Sequence, residues 1–126
     1  MKPLAQMRDA QRLRGLLFDI DDTLITEGRL TAGAYAALER LRETGRIAVA
    51  VTGRPAGWCD HIARMWPVGG VVGENGPFYF RHAQGRLHKR YHDSEAERAA
   101  KRARLGAVAE RVLREVPGCA LASDQA

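Results

Sequence analysis

At 126 residues, 45% hydrophobic and 28% charged, the chain is one domain's worth of ordinary soluble globular protein, near the size at which two domains become unlikely. No apolar run approaches transmembrane length and residues 1–14 are too polar for a signal peptide, so a cytoplasmic location without a membrane partner is the default expectation; two cysteines, Cys59 and Cys119, with no CxxC spacing argue against a disulfide scaffold or a zinc site. The net charge of +5 is uneven, with 10 basic and 9 acidic residues in 1–80 against 10 and 6 in 81–126; but the basic half is interleaved with Glu95, Glu97, Glu110 and Glu115, so a hydrated, salt-bridged helix face explains it better than a nucleic-acid surface.

In chain order, residues 1–14 suggest a short lead-in helix or a frayed end. Leu16, Leu17 and Phe18 form an apolar run behind Gly15, predicting a strand over 16–19 buried on both faces. Asp19, Asp21 and Asp22 follow at once. Alternate residues of a strand share a face, so Asp19 and Asp21 would project together, and two such carboxylates repel unless a cation or a shared proton compensates, a hard ion such as Mg²⁺ being the usual remedy. Acidic clusters also occur as solvated loops or helix caps, but those lack the hydrophobic lead-in. Residues 25–29, with Gly28, read as a mobile loop near this site. Thr31 caps a helix whose apolar positions Ala34, Tyr35, Leu38 and Leu41 mark one buried face, ended by Gly45.

Ile47 to Val51 is a second apolar strand, closing on Thr52, Gly53 and Arg54. Strand, helix and strand form a βαβ unit with parallel strands, so Thr52 stands at the same carboxyl edge as Asp19 and Asp21. A hydroxyl, a glycine and an arginine there suit a phosphate cradle, although Thr-Gly-Arg alone is usually just a turn. Pro55 opens a second helix to about Trp66, with Trp58, Ile62 and Met65 as its core positions and His61 as a surface or packing residue. Val71 and Val72 form a third strand, followed by a turn that places Asn75 within reach of a substrate. Residues 78–80 and 87–91 flank His82, Ala83, Gln84 and Gly85 as a β-hairpin, and the spacing of His82, His88 and His92 suggests no shared metal. Ser94 with Glu97 forms a capping box opening a long helix through Leu105, Val108, Val112 and Leu113, stopped at Pro117 and Gly118, and residues 119–122 look like the start of another strand.

The apolar strand ending in Asp19-Ile20-Asp21-Asp22-Thr23 resembles the DxDxT motif of the haloacid dehalogenase (HAD) superfamily, and Thr52 after its strand is similar to the second motif. Thr52-Gly53-Arg54 with Glu74-Asn75-Gly76 resembles the subfamily IIB, Cof-type sugar-phosphatase branch, whose α/β cap follows the second motif. The resemblance implies an α/β, Rossmann-like, three-layer core with a parallel sheet over residues 1–80, and a hairpin, long helix and truncated beginning of a C2-type cap over 81–126. It also implies a Mg²⁺-dependent phosphatase for a small phosphorylated metabolite such as a sugar phosphate. Asp19 would be the nucleophile and Asp21 the general acid/base. Mg²⁺ would sit on the Asp19 carboxylate and the Asp21 backbone carbonyl, with Thr52, Gly53, Arg54 and Asn75 on the substrate side. The family's later lysine and acidic pair have no counterpart here, since lysine occurs only at Lys2, Lys89 and Lys101. An N-terminal portion of such an enzyme, weak or inactive alone, is the resulting expectation. A receiver-like phosphoacceptor module, which wants an aspartate where Gly73 and Glu74 stand, and a non-catalytic HAD-like domain are the alternatives.

Overall fold

The structure, a computed structural model, describes residues 12–122. Five strands form one mixed sheet in chain order: β1 (Gly15–Phe18), β2 (Ile47–Val51), β3 (Gly70–Gly73), β4 (Phe78–Ala83) and β5 (Arg86–Tyr91). The first three are parallel, with Leu17 beside Val49 and Val51 beside Val72; β4 and β5 return antiparallel. The expected parallel sheet therefore holds for β1 to β3 only. The hairpin turns at Gln84 and Gly85, whose φ values of 52° and 71° give the doubly left-handed turn that matches strand twist.

Helix α1 (Ala32–Glu43) links β1 to β2, and α2 (Ala56–Met65) links β2 to β3. Both crossovers step the same way along the sheet, so the right-handed rule puts both helices on one face. The Tyr35 hydroxyl on α1 accordingly donates to the carbonyl of Met65 on α2, at 3.0 Å. Where three layers were expected, the described residues make two. Beneath the helices, Ile20, Ala50, Cys59, Ile62, Val71, Phe78 and Phe80 form the core, with the Phe78 and Phe80 rings stacked at 4.4 Å. Neither α1 nor α2 covers the other sheet face. Leu17 is 72% exposed and Ile47 58%, so the expectation of a first strand buried on both faces is corrected. On α2 the buried residues are Cys59, Ile62 and Ala63, whereas Trp58 and Met65 are exposed and are not core as their spacing suggested.

Within the loop expected over residues 25–29, Thr26 and Arg29 close a tight turn through two backbone hydrogen bonds. Thr31 caps α1 through the Ala34 amide, as its sequence position suggested. The last helix, α3 (Glu95–Glu115), begins at a capping box in which Ser94 and Glu97 each accept from the other's backbone amide. No residue of α3 is buried, although Arg98 lays its guanidinium 3.7 Å over the Tyr91 ring. After it, residues 119–122 form no strand. The reading of a lead-in segment falls largely on residues 1–11, outside the described residues. No helix among the described residues is long and apolar enough to cross a membrane.

Candidate active site

The parallel half of the sheet ends in three loops at one edge, and the candidate residues lie in them. The first follows β1. Ile20 is fully buried while its neighbours Asp19 and Asp21 are exposed, one apolar anchor pulled into the core and two carboxylates turned out; the strand itself ends at Phe18, so the acids stand on a turn and not on alternating strand positions. The loop is closed by a 3.0 Å hydrogen bond from the Ile25 amide to the Ile20 carbonyl, and Asp22 takes a left-handed φ of 54° to make the turn. Aspartate tolerates that conformation better than most residues, which gives Asp22 a structural part. Asp19 Oδ1 accepts from the Ile20 amide at 2.8 Å, which fixes the side chain and leaves Oδ2 without a protein partner among the described residues.

Thr52 and Gly53 begin the second loop. Thr52 is only 3% exposed; its amide donates to the Val72 carbonyl, its carbonyl accepts from Asn75, and its hydroxyl oxygen accepts from the Arg54 amide at 3.1 Å. The hydroxyl proton is thereby left to be donated elsewhere. A Cβ on Gly53 would sit 3.2 Å from Asn75 Oδ1, so the missing side chain lets the asparagine amide come close. Asn75, in the third loop, has a φ of 63°, and Glu74 before it has 48°. That strain, of order 1–3 kcal/mol for a non-glycine residue, is offset by anchoring. The Glu74 amide donates to the Arg54 carbonyl, and Glu74 Oε1 accepts from the Ala56 amide at 3.1 Å. Pro55, the residue before α2, supplies no side-chain cap, so Glu74 places a carboxylate at the helix's positive end instead. Behind the loop a Cβ on Gly73 would fall 2.5 Å from Cys59 Sγ and 2.4 Å from the Phe78 ring.

An open cleft of about 400 Å³ is walled by Leu17, Phe18, Asp19, Val51, Thr52, Gly53 and Asn75. Four of the sequence-derived residues, Asp19, Thr52, Gly53 and Asn75, therefore come together. Asp21 and Arg54 do not line this cleft but meet each other: Arg54 donates from two nitrogens to both carboxylate oxygens of Asp21, at 2.6 and 3.1 Å. This fork holds the Asp21 carboxyl below its usual pKa and raises that of Arg54, the hydrogen bond being the main cause in each. The guanidinium also lies 4.5 Å from the Trp58 ring. Trp58 and Glu74 were not singled out as site residues by sequence reasoning. Trp58 stands four residues after Arg54, a usable signal, but the Glu74 cap spans 18 residues and has no local signature.

Among the described residues no three His, Cys, Asp or Glu side chains gather as a metal site. The donor on the cleft is the Asp19 carboxylate, an oxygen ligand that suits Mg²⁺ in kind; most of an octahedral shell would have to come from water and phosphate.

Residues 16–103 match the family of haloacid dehalogenase-like hydrolases. No curated protein matches the chain. Among solved structures, a hypothetical protein from Geobacillus kaustophilus is 23% identical with a TM-score of 0.58, aligned over 81% of this chain and 37% of its own. A phosphatase of the HAD superfamily from Bacteroides thetaiotaomicron is 25% identical with a TM-score of 0.56, over 82% and 38%. A haloacid dehalogenase-like hydrolase from B. subtilis is 22% identical with a TM-score of 0.53, over 78% and 34%. The chain thus spans less than two-fifths of the length of each of these structures.

Proposed function

Because the chain belongs to the haloacid dehalogenase-like hydrolase family, we propose that it carries the nucleophile half of a phosphoric monoester hydrolase acting on a small phosphorylated metabolite, such as a sugar phosphate. The observation that carries this reading is the opening of Asp19 and Thr52 onto one cleft at the carboxyl edge of β1 and β2. In this reading Asp19 Oδ2, the oxygen not engaged by Ile20, attacks phosphorus; the P–O bond to the leaving alkoxide breaks and an aspartyl-phosphate forms. Thr52 donates its hydroxyl proton to a phosphoryl oxygen, and the Gly53 and Asn75 edge receives the rest of the group. Asp21 protonates the leaving alkoxide, then takes a proton from the water that cleaves the aspartyl-phosphate. A Mg²⁺ ion held by the Asp19 carboxylate and the Asp21 backbone carbonyl would neutralise charge on the phosphoryl oxygens.

The Arg54 fork bears on the order of events. A carboxylate held ionised suits the water-activating step and opposes the protonating one, so an anionic substrate that draws Arg54 away would ready Asp21 as an acid. The same reading keeps residues 1–80 as the core and assigns 81–126 to the hairpin, the long helix and the start of a cap. A second reading, a non-catalytic domain of the same family, is favoured by the engagement of the lysines within the match: Lys101 contacts Asp93 and Lys89 lies over Phe80. Magnesium-dependent turnover of para-nitrophenyl phosphate, measured on the protein as its gene encodes it, separates the two. Turnover should fall at least a thousandfold in Asp19→Asn, on the order of losing a covalent nucleophile; hydrolysis indifferent to that change, or none at all, would leave the non-catalytic reading.

A further inference from the structure

The face of the sheet turned away from α1 and α2 carries a cationic surface in its antiparallel half. On β4, Tyr79 and Arg81 turn to that face because Phe78 and Phe80, which alternate with them, are buried beneath α2. The register extends the pattern to β5: Arg90 stands opposite Tyr79, His88 opposite Arg81, and Arg86 opposite Ala83. Tyr79, Arg81, His88 and Arg90 are exposed and help wall a cleft of about 490 Å³. No acidic residue occurs between positions 78 and 91. Arg81, Arg86 and Arg90 make no ion pair among the described residues, so their guanidinium groups are open to an anionic ligand. The three arginines belong to the hairpin, not to α3, where the interleaved glutamates made a salt-bridged face the better explanation.

We propose that this face binds single-stranded nucleic acid. Arg86 and Arg90 each lie diagonally across from Arg81, about 7–8 Å away, so the three guanidinium groups are close enough for one polyanion to neutralise them together. Successive same-face residues of a strand are about 6.8 Å apart, so Arg86, His88 and Arg90 form a ladder that an extended phosphate backbone can follow. Arginine forks match phosphate oxygens in pairs. Tyr79, 41% exposed at the head of the ladder, gives a base a ring to stack on. An acidic peptide would satisfy the arginines equally but leave that ring without a partner. The surface lies apart from the Asp19 cleft, and the inference stands or falls independently of the phosphatase reading.

The test is fluorescence anisotropy of a labelled oligothymidylate with the 126-residue chain, each variant being checked for folding by circular dichroism and thermal melting. Three arginines on the face imply that log K falls against log salt with a slope of about −2, from roughly 0.7 per phosphate on a single strand. Arg81→Gln combined with Arg90→Gln should weaken binding at least tenfold, and Tyr79→Ala by about tenfold. Arg104→Gln, on the exposed side of α3, should change nothing. Absence of binding at low salt overturns the proposal. So does an equal loss from Arg104→Gln, which would mean attraction by net charge alone. Indifference to Tyr79→Ala with equal competition from polyglutamate would transfer the surface to an acidic peptide.

Discussion

The two faces of the sheet are built from the same strands and differ in nearly every physical respect. Under α1 and α2, the residues Ala48, Ala50, Val71, Phe78 and Phe80 are at most 2% exposed. Their alternating neighbours on the open face include Ile47 at 58% and Tyr79 at 41%. One face supplies the free energy of folding and, through Ile20, Cys59 and Gly73, holds the loops that carry the candidate site. The other contributes little to stability and is free to vary in chemistry, apolar towards β1 and cationic towards β5. Stability and surface chemistry are thus separated by the pleat, a single residue apart in sequence.

Adjacent substitutions break this comparison most sharply. Phe80→Ala should lower unfolding free energy by about 3–5 kcal/mol, the usual cost of emptying a buried aromatic site, while Tyr79→Ala should stay within about 0.5 kcal/mol. Urea titrations of the two variants measure both, and similar losses would mean the open face is covered in solution. The next effect in size is pH-dependent. Burial pushes the Cys59 thiol up from 9.0 to about 11, so the unfolded chain ionises first as pH rises. The stability it represents is complete below pH 9 and lost between about 9 and 11, amounting to roughly 2–3 kcal/mol at 1.36 kcal/mol per unit. Against wild type, Cys59→Ala should lack that alkaline component; an unchanged slope would place the thiol in contact with solvent. The smallest effect belongs to the exposed Asp21 and Arg54 pair. Because the folded-state pKa of Asp21 is lowered, its contribution is present above the unfolded value and fades as pH falls through the folded one. Asp21→Asn should therefore cost no more than about 1 kcal/mol at neutral pH and nothing in strong acid, read from denaturation midpoints at the two pH values.

Much of the covered face was legible before any coordinates. The βαβ order, the Thr31 cap, the Ser94 and Glu97 capping box and the hairpin all follow from local chemistry, and the structure has each of them. The convergence of Asp19, Thr52 and Asn75 followed from topology, since parallel strands bring their carboxyl ends to one edge. What local pattern could not tell was which side of an element would be covered. Along α2, large Trp58 and Met65 drew the apolar stripe, but small Cys59 and Ala63 pack against the sheet, and Trp58 instead faces the Arg54 guanidinium. Leu16 and Leu17 read as doubly buried because an apolar run carries no record of its neighbours. The pairing of Asp21 with Arg54 across 33 positions, and of Glu74 with Ala56 across 18, depends on three-dimensional closure that no spacing encodes.

Gly73 has a consequence for anyone who would redesign this edge. With Cys59 and Phe78 within 2.5 Å of where its Cβ would stand, the position has one admissible letter, while Asn75 two residues on is exposed. A library randomised across 73–75 would lose most of its members to collapse rather than to altered chemistry. Holding 73 fixed removes that source of collapse from the search.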